Sequence, residues 1–395
     1  MCYCPHDSKQ RCGSRCAGQV NWGGSIRGGL ISTCGQRLRI AACGPCGQRK
    51  TFSGARRGER VFENQAWFDH LLSCGFESRP YAHHVVEAPQ ELGGPSLRLH
   101  LMQTKPEDPL TGLANYYSSL FGPVWCDGVC ESVDWRQLCQ AVVRLPGSAV
   151  IRLQPLDADG VFIRGMEAGL HACGYRVDRF FCFGNWYLPI EAGGFEAYWR
   201  QRPAQLRNTV ERARRRLDRS HTWHINILTA PSPALELGIA AYQRVYAQSW
   251  KEAEPNEAFM PGLIRMAADQ GQLRLGLLWL EGEVVAAQVW IVTAGKAHIF
   301  KLAYQAGFER FSVGSVLTAA LMQHVMDVDG VREVDYLTGD DKYKRDWMSH
   351  RRERMGLIAF DRSRLRGCVA WVRHVAGKLY RRLVSPSASR TSLSS

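Results

Sequence analysis

Leu273-Arg274-Leu275-Gly276-Leu277-Leu278-Trp279-Leu280 is a largely apolar run of strand length, and Glu281-Gly282-Glu283 turns the chain after it. Val284 to Val292 is a second such run, and Thr293-Ala294-Gly295-Lys296 turns into a third, His298-Ile299-Phe300-Lys301-Leu302-Ala303-Tyr304. Three apolar segments joined by short Gly-containing turns predict an antiparallel meander. Arg310-Phe311-Ser312-Val313-Gly314-Ser315 then leads into an apolar helix, Val316 to Met326, and Val331 to Leu337 reads as a further strand. The stretch closes on Thr338-Gly339-Asp340-Asp341-Lys342-Tyr343-Lys344-Arg345-Asp346-Trp347, polar and aromatic directly after a buried strand. Polar clusters at strand ends are where chemistry concentrates.

Upstream, Thr222 to Leu228 reads as a strand, followed by helices Leu235 to Trp250 and Phe259 to Gln270. Trp250, Glu252 and Glu254 in their connection face a substrate or pack a loop; the sequence favours the loop. Residues 195–219 keep helical spacing of apolar residues among eight arginines, a solvated helix face or a phosphate-contacting strip. Before them, order begins near Arg60, where Asn64 caps a helix with Trp67, Phe68, Leu71 and Leu72 on its apolar face. Strands near 81–87 and 96–103, a helix Trp135 to Leu145, a strand Ala149 to Leu153 and a helix Val161 to Cys173 follow. An aromatic strand pair over Tyr175 to Leu188, broken at Gly184-Asn185, completes an α+β layer unit.

The chain of 395 residues carries a net charge of +13. That charge is terminal: residues 1–60 contribute +9, residues 362–395 contribute +8, and the middle is left at −4. A nucleic-acid-binding fold places its basic stripe on the folded body, so DNA is not expected as a partner. Seven of the 14 cysteines lie in the first 60 residues. Cys43-x-x-Cys46 has zinc-ligand spacing, but the other spacings are irregular, so residues 1–59 are expected to be a disordered extension without a metal. The remaining cysteines sit among apolar residues as in a reducing cytosol, and a cytoplasmic protein is expected. Leu365, Val369, Val372, Val375, Leu379 and Leu383 recur at helical spacing among cations. Such a basic amphipathic helix packs on the body or lies on the inner face of an anionic membrane, and a disordered Ser-rich end follows from Pro386.

The words Val285-Ala286-Ala287-Gln288, Lys301-Leu302-Ala303-Tyr304, Ser312-Val313-Gly314-Ser315-Val316-Leu317 and Gly339 to Trp347 resemble the CelD/BcsL group of GNAT acetyltransferases of cellulose and exopolysaccharide biosynthesis. The group is related to FemAB-like tandem-GNAT proteins. The match covers roughly residues 195–360, with a degenerate similarity back to about Phe62. The resemblance implies an α+β GNAT acyl-CoA N-acyltransferase fold in tandem, a mixed sheet with flanking helices. Residues 60–194 would be a degenerate first domain that shapes substrate, 195–361 the active domain, and 362–395 the tail. It implies acetyl-CoA as co-substrate, no metal, and a small-molecule or glycan-precursor acceptor with an amine or hydroxyl nucleophile.

Acyl transfer needs a pyrophosphate cradle, donors to the thioester carbonyl and a proton route. The helix start supplies the cradle through free N–H groups, from Arg310, Ser312, Val313, Gly314 and Ser315, although the order Arg-x-x-x-Gly-Ser departs from the superfamily's Arg-x-x-Gly-x-Gly/Ala. Carbonyl donors are expected from strand backbone near Ala287 to Trp290, with Gln288 and Val289 as cofactor contacts. Trp250, Lys301, Tyr304 and Lys344 are the substrate-binding candidates, and Lys301 is expected to point away from Phe300 and Leu302. Asp335, Asp340, Asp341 and Tyr343 are the proton-route candidates; against them stand a salt bridge from Asp335 to Arg332 or Lys344, a plain Gly-Asp-Asp turn, and a solvated loop. His298 and His324 are expected to be core or surface histidines. No serine or cysteine has a nucleophile's setting, so attack is expected to be direct. Two alternatives remain: a FemAB-like transferase using aminoacyl-tRNA, and a silent binding module of an exopolysaccharide assembly.

Overall fold

The computed structural model describes residues 60–76, 80–88, 97–125 and 133–384. The Cys-rich extension over 1–59 with its Cys43-x-x-Cys46 pair, and the Ser-rich end from Pro386, lie outside the described residues. Helix α1 (Gln65–Cys74) starts where the Asn64 side chain accepts a hydrogen bond from the Trp67 N–H at 2.8 Å. The cap satisfies a first-turn donor that has no partner within the helix. β1 (Ala82–Ala88) and β2 (Leu97–Gln103) pair antiparallel, and β3 (Leu110–Gly112) and β4 (Val124–Trp125) both pair with β2. α2 (Trp135–Val142), capped by Asp134, leads to β5 (Val150–Asp157), which runs parallel to β3. α3 (Val161–Ala172) returns the chain into β6 (Arg176–Pro189). The expected break at Gly184-Asn185 is absent: β6 is one strand of 14 residues.

The arginine-rich segment forms two helices rather than one, α4 (Gly194–Gln201) and α5 (Ala204–Ser220). The break falls at Arg202-Pro203, because a residue before proline is pushed out of the helical region. β7 (Trp223–Leu228), α6 (Pro233–Ala247) and α7 (Phe259–Asp269) precede the meander β8 (Leu273–Leu280), β9 (Glu283–Thr293) and β10 (Lys296–Tyr304). α8 (Val313–Asp327) and a short β11 (Glu333–Asp335) follow, then α9 (Lys344–Trp347), β12 (His350–Phe360) and α10 (Leu365–Val384). The meander lies between two helix layers. Leu273, Leu275, Leu277, Val289 and Ile291 share one core with α6 and α7, while Leu278, Leu280, Val285 and Trp290 share the other with α5 and α8. Burial on both faces is why these strands read as continuous apolar runs instead of alternating ones.

All these strands belong to one sheet, in the order β1-β2-β3-β5-β12-β6-β11-β10-β9-β8-β7, with β4 on β2. The order has a consequence for the two halves. β6, from the first half, pairs with β11 of the second, and β12, from the second half, pairs with β5 of the first. β12 and β6 then pair with each other from His350↔Tyr187 to Phe360↔Arg176. Each half gives its closing strand to the other, so the sheet runs unbroken across the boundary expected at 194/195. Opening that exchange exposes the long edges of β5, β6 and β12 and the short edge of β11, and such unpaired edges are poorly tolerated. Residues 60–194 and 195–395 produced separately are therefore expected to be insoluble, and to co-purify as a soluble complex when made together.

Candidate functional site

β10 and β11 run parallel only from Lys296↔Glu333 to His298↔Asp335. β11 ends there, whereas β10 continues to Tyr304, so the two strands part and a gap opens between them. Two buried side chains set the point of parting. The Asp335 carboxylate accepts from the Leu337 N–H at 2.7 Å, and the Asn185 amide donates to the Leu337 carbonyl at 2.8 Å and to Asp335 at 2.6 Å. Held at both backbone groups, Leu337 takes a φ of 56°, a left-handed conformation that a branched side chain adopts only under outside constraint. The chain thereby turns away from β10.

The same two residues bind the closing strand of the second half. Arg352 on β12 donates to Asp335 and, at 2.7 Å, to Asn185 Oδ1, which also accepts from Arg354 at 3.1 Å. Asp335 is 2% exposed. Burial opposes its ionisation, but Arg352 and Arg354 outweigh it and hold the carboxyl below its ordinary range. The sequence expectations are corrected here: the partners of Asp335 are Arg352 and Asn185 rather than Arg332 or Lys344, and a carboxylate so engaged does not serve as a base. His298 is buried nearby, its pKa pushed down to about 4 by burial, so it is a neutral ring in the core.

The gap is a cavity of about 240 Å³ lined by Ile299 to Leu302 from one wall and Tyr336, Leu337 and Thr338 from the other. Four consecutive lining residues contradict the expected alternation of Lys301 with Phe300 and Leu302. The register explains it: Ile299 pairs with Trp290 and Lys301 with Val289, leaving Phe300 as a bulge. A bulge re-aims the side chains beyond it. Lys301 consequently points into the cleft, where its ammonium pairs with Glu254 at 3.0 Å and lies over the rings of Tyr116, Tyr117 and Tyr246 at 4.7, 5.2 and 5.5 Å. Tyr117 donates to the other Glu254 oxygen at 2.7 Å. Glu254 is thus part of the site, not only of a packed loop.

The remaining candidates divide. Lys344 lines the cavity, but its ammonium is taken up by the Thr338 and Gly339 carbonyls and by Asp341 at 3.1 Å, so it clamps the loop. Asp340 is held below its ordinary range by Arg351, with burial opposing and Trp186 assisting, which makes it an anchor between β12 and β6 rather than a base. Asp341 and Tyr343 do line the cavity; burial and then Asp341 push the Tyr343 phenol up to about 12, so it stays a hydrogen-bond donor. Gln288 and Val289 are in the core instead. β9 is paired on both sides, so its backbone around Ala287 to Trp290 is committed to the ladder, and the Gln288 amide donates to the Gly314 carbonyl at 3.0 Å and to Thr318 at 2.8 Å. Its role is to pin the first turn of α8 to the sheet.

That first turn carries the other candidates. Ser312, at φ 48°, places no side-chain cap on α8, so the N–H groups from Val313 to Ser315 begin the helix without a capping acceptor. Exposed Arg310 precedes them, and Arg216 of α5 donates to the Arg310 carbonyl, which brings two guanidinium groups to the turn. The Tyr304 ring lies against Gly314, where a Cβ would come within 3.1 Å of it, and Trp250 packs on Tyr304 with centroids 4.4 Å apart. Trp250, 57% exposed, is followed by Lys251, which lines the cavity. A run of contacts thus joins the helix start to the cleft.

Lys251 was not among the sequence candidates. Among the described residues no acid or acceptor reaches its ammonium, in contrast to Lys301 and Lys344. Burial and then the neighbouring Lys301 charge push its pKa down to about 8. Its only sequence signal was adjacency to Trp250. Tyr116, Tyr117 and Ser119 come from the first half through an irregular segment, and no pattern linked them to residues far along the chain.

Residues 204–345 match the family of acetyltransferase (GNAT) domains. Among solved structures, FemX is similar over 77% of this chain and 92% of its own, at 10% identity and a TM-score of 0.52. L-PGS from Bacillus licheniformis covers 76% of this chain and 93% of its own at 12% identity and a TM-score of 0.45. A tandem GNAT protein from the clavulanic acid biosynthesis pathway covers 77% and 90% at 12% identity and a TM-score of 0.43. No curated protein matches the sequence. The fold is the GNAT fold, with a mixed sheet and flanking helices, and residues 204–345 are an acyltransferase domain.

Asp335→Asn should show what the buried cluster contributes. It leaves Arg352 and Arg354 without their counter-charge, and stability should fall by about 3–5 kcal/mol in denaturant titration. A carboxyl with a depressed folded pKa stabilises above its unfolded value, near 3.9, and loses that contribution as pH falls through the folded value. The wild-type protein should therefore show an acid limb of unfolding that is shallower in the variant.

Proposed function

We propose that this acyltransferase binds an acyl-CoA at the start of α8 and passes its acyl group to an amine or hydroxyl held in the cleft between β10 and β11. The observation that carries the reading is the Lys251 ammonium in that cleft, reached by no acid or acceptor among the described residues, beside the contacts that lead to the helix start. The residues present fit the donor. An uncapped helix N-terminus flanked by Arg310 and Arg216 suits a pyrophosphate. A cavity of about 240 Å³ takes an acyl group and the reacting end of an acceptor, so the nucleotide end of the donor belongs outside it, along Trp250 and Tyr304.

In this reading the acceptor attacks the thioester carbonyl directly. Lys251, neutral above about pH 8, takes the proton that the acceptor loses, and returns it to the departing thiolate. Tyr343 and Tyr117 remain protonated and orient the bound groups, while Glu254 holds Lys301 in place. The bulged β10 at Phe300 supplies backbone not fixed by the β9 ladder, in place of the donors expected on β9. Acetyl is the expected acyl group and a polysaccharide or cell-envelope precursor the expected acceptor. Both rest on the resemblance of the quoted sequence words to the CelD/BcsL group. One observation favours a second reading: Arg212, Arg216 and Arg219 lie exposed on α5 beside the α8 turn, a strip suited to a phosphate-rich donor such as aminoacyl-tRNA.

Calorimetric titration of acetyl-CoA into the whole chain separates the readings. Micromolar binding that is abolished in Gly314→Trp, whose ring fills the space against Tyr304, is the expected result. Absence of binding to acetyl-CoA and to longer acyl-CoAs, with retention of aminoacyl-tRNA, is the result that sinks it. Once an acceptor is in hand, kcat should rise with pH through about 8 as Lys251 loses its proton. Lys251→Met should lower kcat by about 10²–10⁴-fold and flatten that limb, and Lys251→Arg, which keeps the charge, should not restore it.

A further inference from the structure

Helix α10 (Leu365–Val384) has two faces that differ in what they touch. The inner face is anchored. His374 and Lys378 both reach the Asp178 carboxylate on β6, at 2.6 and 2.7 Å, and Trp371 packs on Phe360 with centroids 5.4 Å apart. Gly367, between them on this face, lets the helix backbone come against Asp361 and Ala149. At 100° per residue these positions share one side of the helix.

The outer face is apolar, and among the described residues it has no partner. Leu365 is 81% exposed, Val372 64%, Leu379 53% and Tyr380 67%, with Val369 between them at 41%. Most of the spacing that predicts an amphipathic helix is therefore not buried against the body: Trp371, His374 and Lys378 do the packing, and the stripe points outward. Exposed Arg366 and Arg373 border the stripe, and no acid occurs from residue 362 onward. No helix among the described residues is long and apolar enough to cross a membrane.

We propose that the outer face of α10 docks on an anionic bilayer surface. The helix lies in the plane of the interface, with Leu365, Val372, Leu379 and Tyr380 among the acyl chains and the arginines at the headgroups. An apolar stripe bordered by cations and devoid of acids matches a surface whose charge is negative and whose interior is hydrocarbon. A second copy of the chain matches it less well. Pairing the stripe with itself about a two-fold axis sets the same arginines of both copies against each other, with no acid on the helix to answer them. The inference does not depend on the acyl donor or on Lys251.

The test is sedimentation of the whole protein with extruded vesicles of mixed phosphatidylglycerol and phosphatidylcholine, and with phosphatidylcholine alone. Binding to the anionic vesicles only, weakened by salt, is expected. Val372→Asp with Leu379→Asp, and separately Arg366→Glu with Arg373→Glu, should each lower the partition coefficient by about tenfold or more. All four positions are exposed, so both variants should keep the wild-type melting transition and acetyl-CoA affinity. Failure of the wild-type protein to bind anionic vesicles overturns the proposal. So does binding that persists in both variants, which would assign it to another part of the basic chain. Light scattering showing a dimer that the Val372→Asp, Leu379→Asp variant dissolves would give the face to a second copy instead.

Discussion

The contact on which this architecture turns is the buried cluster of Asp335, Asn185, Arg352 and Arg354. It joins three strands that come from different parts of the chain: β6 supplies the amide, β11 the carboxylate and β12 the two guanidinium groups. Isolated, each of these groups would be costly to bury. Together they satisfy one another, and removing a member strands the rest. The cluster also sits at the junction of the two halves of the sheet, so the exchange of closing strands and the satisfaction of its charges depend on each other.

From that cluster the site follows by geometry. Asp335 and Asn185 grip Leu337 by its N–H and its carbonyl and turn the chain out of the sheet, while the bulge at Phe300 turns Lys301 inward on the facing strand. The cleft is the space between those two departures. Its chemistry is then sorted by pairing. Glu254 answers Lys301, Asp341 answers Lys344, Arg351 answers Asp340, and Lys251, over the Tyr246 and Trp250 rings, is left with a lowered pKa and no ion pair among the described residues. Carboxylates that looked like bases in the sequence turn out to hold the walls in place.

Much of the second half could be read from residues alone, for a definite reason. The strands and helices around the meander are buried on the faces that their apolar residues mark, so their boundaries follow the pattern closely from β7 to β10. Asn64 and Asp134 act as the caps their positions suggest. β12 was not legible. His350-Arg351-Arg352-Glu353-Arg354 looks like a solvated segment, and it becomes a central strand because Glu333 and Asp335 on β11, and Asp340 just beyond it, take up those charges. The continuity of β6 through Gly184-Asn185 has the same origin: a glycine and an asparagine signal a turn unless both flanks are paired, and here they are.

The sequence by itself determined the fold class, the meander with its Gly-marked turns, and the polar segment at the end of β11, because local propensity and apolar periodicity are properties of neighbouring residues. Tertiary structure decided which polar residues are free. Whether a lysine or an aspartate is a clamp, an anchor or a reactive group depends on the ion pair it forms across the sheet; Lys301, Lys344 and Asp335 each form one, and among the described residues Lys251 does not. That distinction rests on partners far away in sequence, and only folding brings them together.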